Sequence, residues 1–412
     1  MDTTRRRRLT VTISVAVAVV VVAALAIFFL VIKPNTDSLN VYGAASDELL
    51  AAQSSAQQAR ESVVAEMEAA SATSASATTA VDSIGPAYVA DVATLAAVRA
   101  AAEPLAALAS TPVPELAEVV IPDAPEGREQ SATAAEALRA QIPAIEATAA
   151  AYQTQAQQVA DAASAVDTAM DAVLASAHTT GTTDALPSLA SADTVAAYSA
   201  AVDALASPAD DADPLALLTA YQDAWKAGIA SAEAAARAAG EASEPTIIRG
   251  ILVANKTYAL PSDYGNGLTA ETQSAFATMK AAAAAEGHNL FISSGFRSYA
   301  TQTGLYNKYV ANDGKADADR YSARPGHSEH QTGLAFDLNS ISEAFGGQPA
   351  GIWVAEHGHE YGFIVRYPQG KEEVTGYKWE PWHLRYVGVD IATRLHDSGL
   401  TVEEYLGITS VY

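Results

Sequence analysis

The sequence predicts an α+β domain over residues 246–412, preceded by a transmembrane helix at the N-terminus and by an Ala-rich helical stalk. Residues 246–412 contain 21 of the 29 aromatic residues and seven of the eight histidines, so the core-forming and chemically reactive part of the chain is expected there. A run of 24 uncharged residues lies near the N-terminus, and a long segment rich in Ala separates this run from the aromatic domain. The composition therefore divides the chain into residues 1–35, 36–245 and 246–412.

The N-terminal segment has the charge pattern of a membrane anchor. Arg5–Arg8 form a block of four positive charges, and Leu9–Ile32 follow without any charged residue. As a helix this run would span about 36 Å at ~1.5 Å per residue, enough to cross a hydrocarbon core of ~30 Å with some tilt. The basic block is expected to stay in the cytoplasm, which predicts a single-pass protein of the cell membrane with an extracellular C-terminal domain. The alternative is a cleaved signal peptide, although the apolar stretch of such peptides is usually ~7–15 residues long.

The middle segment is strongly acidic, and the chain has no cysteine. Residues 35–245 contain 29 acidic and 6 basic residues, which accounts for nearly all of the net charge of −24. Because nucleic acids are bound by clustered Lys and Arg, this charge argues against nucleic acid as a partner. The absence of Cys excludes disulfides, thiolate metal sites and a cysteine nucleophile.

Helices are expected throughout the middle segment, because Ala, Glu, Gln and Leu favour helix while Gly and Pro interrupt it. The sequence predicts helices over residues 45–82, 87–110, 129–177 with a kink at Pro143, and 189–242 with a break at Pro208. A stalk that lifts the C-terminal domain through a cell wall is the leading interpretation. A docking surface for a partner protein and a largely disordered spacer are the alternatives.

The C-terminal domain is predicted to mix helices and strands. Strands are expected at residues 250–253 and 289–293, and helices at 269–286, 300–310 and 389–398. These elements do not alternate regularly as strand, helix and strand, so the pattern indicates an α+β fold and not a parallel α/β fold.

Two histidines and an aspartate in this domain form a candidate metal site. His330, Asp337 and His383 offer two imidazoles and one carboxylate, a ligand set suited to a catalytic Zn²⁺ that also holds a water. The seven-residue spacing of His330 and Asp337 allows one helical face in principle, but Gly333 favours a loop that enters a strand. Glu380, three residues before His383, is placed to take the proton of a metal-activated water.

The motifs of this domain resemble a known family of peptidases. The pattern S-x-H-x-x-G-x-A-x-D at residues 328–337 is followed by E-P-W-H at 380–383. Together they resemble the zinc carboxypeptidases of the VanY type, which trim D-alanyl-D-alanine ends of peptidoglycan peptides. Matching stretches occur in family order across the domain, among them residues 252–256, 294–299, 323–330, 361–368 and 375–377. The first 245 residues lie outside the resemblance.

The resemblance implies a role for each matching residue. It implies His330, Asp337 and His383 as ligands of Zn²⁺ and Glu380 as general base. It implies that Arg297 holds a substrate carboxylate or the developing oxyanion.

It also implies that Gln302 and Ser328 contact the substrate terminus. The implied substrate is a peptidoglycan stem peptide that loses a terminal D-Ala. The alternatives are an L,D-carboxypeptidase or endopeptidase on the same substrate, and a non-catalytic zinc domain that binds wall peptide or protein. One departure from the family is Phe296, where Tyr is common.

Overall fold

The computed structural model describes residues 22–209, 212–239 and 242–412 and groups the chain into two compact units. Of the described residues, one unit contains those up to Ala75 together with Ala100–Asp167, and the other contains Ser76–Arg99 together with those from Thr168 to Tyr412. No helix within the described ranges is both long and apolar enough to cross a membrane. Residues 9–21 of the predicted span Leu9–Ile32 lie outside the described residues. In the rest of this span, residues 22–27 are helical and Phe28–Ile32 form a π-helical turn.

The middle of the chain is helical, as its composition predicts. The helices are α1 (Lys33–Ser83), α2 (Ala93–Ala109), α3 (Arg128–Arg139), α4 (Ile142–Thr183), α5 (Ala192–Ala206) and α6 (Pro214–Ala239). The predicted helix over residues 129–177 is in fact two helices, α3 and α4, and Pro143 lies in the first turn of α4. Proline is tolerated there because the missing N–H would have no partner within the helix.

The first unit packs around a small aliphatic core. Its buried residues come from α1, α3 and α4, and they are Tyr42, Ala45, Leu49, Ala56, Ala135, Leu138 and Ile145. The Pro-rich segment at residues 112–125, expected as a break, runs along these helices without helical structure of its own. Its backbone carbonyls accept hydrogen bonds from helix side chains, including Tyr152 Oη to Pro114 at 2.7 Å and Gln53 Nε2 to Ala117 at 2.9 Å.

The helical part of the second unit is built around aromatic side chains. Tyr88, Tyr198, Tyr221 and Trp225 are all buried, and their neighbouring ring centroids lie 5.5 to 5.8 Å apart. Helix α6 approaches the loop before α5 closely at Gly228, where a Cβ atom would lie 2.4 Å from a methyl group of Leu186. Four of the six aromatic residues of the Ala-rich segment thus lie in this cluster, whereas Tyr42 and Tyr152 belong to the first unit.

The rest of the second unit has the predicted α+β class. Strands β1 (Thr246–Ile248) and β2 (Ile251–Val253) form a hairpin. An antiparallel sheet in the order β3-β4-β6-β5 contains β3 (Ile292–Ser294), β4 (Ala335–Leu338), β5 (Phe363–Tyr367) and β6 (Glu380–Tyr386). The accompanying helices are α7 (Ala270–Ala285), α8 (Tyr299–Asp313), α9 (Pro349–His357), α10 (Val389–Ser398) and α11 (Val402–Leu406). Single helical turns lie at Lys315–Ala318 and Glu372–Thr375.

One face of the sheet packs against α7 and α9. The buried core residues include Met279, Leu290, Phe336, Phe345, Trp353, Phe363 and Leu384. Because side chains alternate along a strand, the residues between these core positions on β4 and β6 point to the opposite face. That opposite face carries the polar residues of the candidate site.

Candidate metal centre and active-site cleft

Three polar side chains converge where β4 and β6 run side by side. Asp337 on β4 pairs directly with His383 on β6, so their side chains lie on the same face of the sheet. His330 lies in a short 3₁₀ turn that precedes β4. The turn ends at Gly333 with φ 70°, where a Cβ atom would lie 2.2 Å from the carbonyl oxygen of Gly267. The segment between His330 and Asp337 is thus a loop that enters a strand.

The two imidazoles face the carboxylate of Asp337 from different sides. His330 Nε2 lies 3.3 Å from Asp337 Oδ2, and His383 Nδ1 lies 3.1 Å from Asp337 Oδ1. The second nitrogen of each ring faces an acceptor elsewhere. His330 Nδ1 is 2.7 Å from the carbonyl oxygen of Gly295, and His383 Nε2 is 3.5 Å from Glu329 Oε2. Each ring can therefore donate a proton outward and keep a lone pair directed at the centre of the cluster.

Burial and ion pairing shift the pKa of every member of the cluster. Burial opposes ionisation of Asp337, but hydrogen bonds to both histidines hold its pKa well below the usual range. Burial lowers the pKa of His330. Burial also acts to lower the pKa of His383, but hydrogen bonds to Asp337 and Glu329 outweigh it and raise this pKa to about 9. In the absence of a cation, His383 thus provides the positive charge that the buried carboxylate requires.

The donor set fits a zinc ion. Within the described residues, His330, Asp337 and His383 are brought together so that their ligand atoms all lie within 4.8 Å of one another. Two imidazole nitrogens and one carboxylate oxygen, with a fourth position left for water, are a set that catalytic Zn²⁺ uses. The outward hydrogen bond of His330 to Gly295 and the Glu329 carboxylate beside His383 Nε2 are contacts of the kind that orient histidine ligands of metals.

Behind the cluster lies a buried network of charged side chains. Glu329 Oε1 accepts hydrogen bonds from Arg366 Nε at 2.8 Å and from Arg385 at 2.9 Å. Arg366 also donates to both carboxylate oxygens of Glu403. Burial opposes ionisation of Glu329, but the two arginines hold its pKa well below the usual range. The network thus presents an ionised carboxylate to His383.

The cluster opens onto a cleft of about 270 Å³. Its walls contain several aromatic residues and both signs of charge, and its lining includes Ser328, Tyr309, Tyr321, Tyr367, Tyr377, Lys378, Trp379, Glu380 and Trp382. The mixture of aromatic and charged side chains suits a ligand that has both apolar and polar groups, such as a peptide.

Glu380 lies at the start of β6, in the cleft beside the cluster. Its Oε2 atom is 3.8 Å from Nδ1 of His383, and only 13% of its side chain is exposed. Burial raises the pKa of Glu380 to about 7. A carboxyl group with this pKa can both accept and release a proton near neutral pH.

Arg297 reaches the same cleft from the loop after β3. One terminal nitrogen donates to Gln302 Oε1 at 3.0 Å, and the other donates to Ser294 Oγ at 3.1 Å and lies 4.0 Å from Asp337 Oδ2. The Arg297 side chain is 20% exposed, so part of it faces the cleft. Its hydrogen bonds to Gln302 and Ser294 hold it near the cluster.

The other two predicted substrate contacts occupy different depths. Ser328 is buried but lines the cleft. Gln302 is fully buried behind Arg297, and its amide nitrogen donates to Ala323 O at 2.6 Å and Ser322 Oγ at 3.3 Å. Both ends of the Gln302 amide are thus bonded within the protein. The family resemblance implies that Gln302 contacts the substrate terminus, but in the structure its side chain is fully buried and bonded to Arg297, Ser322 and Ala323.

The other histidines of the domain lie apart from the cluster. His327 Nδ1 is 2.7 Å from the carbonyl oxygen of Asn255, and burial lowers the pKa of His327. His359 stacks on His396 with ring centroids 3.8 Å apart. His327 is therefore outside the group of ligand atoms that the structure brings together.

Residues 265–389 match the family described as VanY, D-alanyl-D-alanine carboxypeptidase. These residues form a domain of the VanY family. YodJ of Bacillus subtilis (strain 168) is 40% identical over 180 residues, which cover 38% of this chain and 66% of YodJ. The D-alanyl-D-alanine carboxypeptidase of Enterococcus faecalis (strain ATCC 700802 / V583) is 40% identical over 134 residues, which cover 30% of this chain and 50% of that enzyme. The chain thus spans about half to two thirds of the length of these curated VanY-type relatives.

Solved structures include similar proteins of two specificities. The L,D-carboxypeptidase DacB from Streptococcus pneumoniae is 46% identical, with 41% of this chain and 95% of DacB covered and a TM-score of 0.38. The vancomycin-resistance D,D-pentapeptidase VanY, solved as a mutant in complex with Zn(II), is 33% identical, with 38% of this chain and 97% of that chain covered and a TM-score of 0.35.

Proposed function

We propose that residues 246–412 are a zinc-dependent carboxypeptidase that removes one terminal D-amino acid, D-Ala, from peptidoglycan stem peptides. The observation that carries this proposal is the position of Glu380, a proton-accepting carboxylate in the same cleft as His330, Asp337 and His383. A domain that used a metal only for folding or binding would gain nothing from a base at this position. Membership of the VanY family supports the same reaction.

The metal would be held by His330 through Nε2, by Asp337 through its carboxylate and by His383 through Nδ1. When bound, Zn²⁺ lowers the pKa of a coordinated water and polarises the scissile carbonyl group. The hydrogen bond from His330 to Gly295 and the Glu329 carboxylate 3.5 Å from His383 Nε2 would favour the tautomer that this binding needs in each ring.

Glu380 would handle the proton. It accepts the proton of the attacking water and returns it to the amine of the leaving D-amino acid. Its raised pKa suits both steps, because a strongly acidic carboxyl group could not hold the proton between them.

The substrate terminus would be held by Arg297 and Ser328. The guanidinium of Arg297 can bind a terminal carboxylate with two hydrogen bonds or stabilise a developing oxyanion. Gln302 would orient Arg297 through its amide oxygen and would not touch the substrate.

A second candidate reaction differs in the bond that is cleaved. Sequence identity to the L,D-carboxypeptidase DacB is 46%, compared with 33% to the D,D-pentapeptidase VanY. This difference favours a tetrapeptide stem, in which the residue before the terminal D-Ala has the L configuration, as an additional or preferred substrate.

We also propose that Leu9–Ile32 is an uncleaved anchor that holds the protein in the cell membrane with the peptidase domain outside. The block of four arginines before this run motivates the orientation. N-terminal sequencing of the membrane-bound protein tests the proposal, and a mature N-terminus beyond residue 32 would identify a signal peptide instead.

Mass spectrometry of purified muropeptides tests the proposed reaction. Pentapeptide and tetrapeptide stems are incubated with the zinc-loaded protein and, as a matched control, with the Glu380→Gln variant. Loss of one D-Ala from pentapeptides indicates D,D-activity, and loss of D-Ala from tetrapeptides indicates L,D-activity. Cleavage inside the stem indicates an endopeptidase, and tight binding without any cleavage would replace the enzyme proposal with a binding function.

A further inference from the structure

The C-terminal segment Leu406–Tyr412 is bonded to helix α6 of the Ala-rich region. Trp225 Nε1 donates a hydrogen bond to the carbonyl oxygen of Leu406 at 3.0 Å. The backbone N–H and the hydroxyl of Thr409 both donate to the carboxylate of Glu233, at 2.6 and 2.9 Å. Glu233 is only 4% exposed whereas Thr409 is exposed, so a buried carboxylate accepts two charge-assisted hydrogen bonds from a residue at the surface.

The same segment is bonded on its other side to the buried charges behind the metal cluster. Asn255 Nδ2 donates to the carbonyl oxygen of Thr409 at 3.0 Å and to Glu403 Oε1 at 3.2 Å. Glu403 Oε2 accepts from Arg366 Nη1 at 2.8 Å, and Arg366 Nε donates to Glu329 Oε1 at 2.8 Å.

A continuous path of hydrogen bonds therefore runs from Glu233 to Glu329, whose other carboxylate oxygen faces Nε2 of His383. Asn255 and Glu403 are 0% exposed and Arg366 is 1% exposed. Because water does not reach the links among Asn255, Glu403 and Arg366, a bond lost there would not be replaced by solvent, and the neighbouring groups would have to move.

A second contact fixes α6 against the peptidase fold. The guanidinium carbon of Arg249 lies 4.1 Å from the ring centroid of Trp225 and 4.5 Å from that of Tyr88, and Arg249 Nε lies 2.7 Å from Asp184 Oδ2. Arg249 occupies the turn between β1 and β2 with φ 49°, a conformation that is uncommon for arginine. An uncommon backbone conformation persists only where the surrounding structure stabilises it, and here the arginine side chain contacts two aromatic rings. We therefore regard the contact between the hairpin and α6 as specific.

We propose that Glu233 is a positioning residue for the metal centre, and that helix α6 thereby belongs to the catalytic unit. By fixing the position of Thr409, Glu233 fixes the positions of Asn255 and Glu403. Glu403 in turn positions Arg366, which orients the Glu329 carboxylate. Misplacing Glu329 would loosen the orientation of His383 and weaken metal binding. This inference rests on the proposed function for its kinetic readout, whereas its metal-affinity readout is independent of any substrate.

The test compares zinc affinity among variants of the full chain, measured by competition with a chelator. Glu233→Ala removes both acceptors of Thr409, and a loss of roughly tenfold in zinc affinity is expected, the lower end of the effect of outer-shell changes. Glu233→Gln keeps an acceptor for the backbone N–H of Thr409 and is expected to restore affinity close to that of the unmodified protein.

Two controls separate positioning from general stability. Leu218→Ala removes a fully buried side chain from the same helix, and Leu218 has no place in the path. It is expected to lower the melting temperature while leaving zinc affinity unchanged. Asp223→Ala removes an exposed carboxylate of α6 and is expected to change neither.

The inference is overturned if Glu233→Ala leaves zinc affinity unchanged, or if Leu218→Ala weakens it equally. Should Glu233→Ala fail to fold, Thr409→Val removes only the hydroxyl donor, and a smaller loss of affinity in the same direction is then expected; no loss overturns the inference. If the unmodified protein cleaves no stem peptide, the proposed function fails, and the zinc measurements still decide whether Glu233 acts on the metal centre.

Discussion

The Oε2 atom of Glu329 lies 3.5 Å from Nε2 of His383, although Glu329 is next in sequence to the other histidine of the cluster. Adjacent residues of one 3₁₀ turn thus take different places: His330 contributes its own imidazole to the cluster, and the Glu329 carboxylate faces the outward nitrogen of His383. The Glu329 carboxylate keeps its position beside His383 because Arg366 and Arg385 donate hydrogen bonds to it.

Replacing Glu329 with Gln should weaken zinc binding without preventing it. The amide keeps the size of the side chain but removes the charge that the two arginines and His383 share. Loss of an outer-shell partner typically costs 10- to 100-fold in metal affinity, and a loss in that range (~10–100-fold) is expected here. Chelator competition measures it, with the exposed Glu360→Gln as the matched control. Equal affinities of the two variants would contradict the role assigned to Glu329.

His383→Ala should abolish the thermal stabilisation by zinc. A ligand that binds only the folded state raises the melting temperature with concentration, and at 100 times its dissociation constant it adds about 2.7 kcal/mol. Without His383 two candidate ligands remain, and the increase should disappear at the same zinc concentration. His396→Ala, which removes an imidazole outside the cluster, should keep the increase. A full increase in His383→Ala would remove this residue from the metal site.

Gly333→Ala should destabilise the fold more than Gly399→Ala. Both glycines have positive φ, 70° and 66°, so a side chain at either position costs about 1–2 kcal/mol of backbone strain. At Gly333 the new Cβ would also lie 2.2 Å from a backbone oxygen, whereas nothing lies within 4 Å at Gly399. Urea unfolding of the metal-free variants measures the difference. Similar losses in both would mean that the turn after His330 can relax.

Local sequence patterns predicted much of this molecule. The helices of the Ala-rich region followed from composition and breakers, and β4 and α10 followed from residues that lie close together in sequence. The cluster was predictable because its members sit in two short motifs, at residues 328–337 and 380–383. The structure brings these motifs together through direct pairing of Asp337 with His383.

Contacts between distant segments were not predictable in this way. Glu403 and Asn255 carry no local signal for a place behind the metal centre, because their partners are more than 30 residues away. The extended path of residues 112–125 along α1 and α4 was missed because proline indicates only where a helix ends. Glu233 and Thr409 are in contact although 176 residues separate them in sequence. The stalk interpretation did not predict any contact between α6 and the C-terminal domain.

Arg297→Lys should lower turnover although the positive charge remains. A lysine cannot donate to Gln302 and Ser294 while also presenting two donors to the substrate. Removal of one donor to a developing oxyanion costs about 10²–10³-fold in kcat, whereas loss of a contact to the ground-state carboxylate appears mainly in KM. Steady-state kinetics on a D-Ala-ended peptide separates these cases, with the exposed Arg320→Lys as control. Unchanged kcat and KM would exclude Arg297 from both roles.

Glu380→Gln should abolish most turnover and spare the metal. The amide has nearly the same shape, so the cleft and the cluster should stay intact, but it cannot accept the proton of the attacking water. General acid–base catalysis typically contributes 10²–10⁴-fold, and a fall of at least that order (~10²–10⁴-fold) is expected in kcat.

Zinc content and turnover must be measured on the same samples, because a variant that had lost its metal would also be inactive. The buried carboxyl group has its pKa raised to about 7, so its replacement by a neutral amide should not destabilise the cleft. Near-normal turnover of Glu380→Gln with zinc bound would show that another group carries the proton, and it would remove the observation on which the proposed reaction rests.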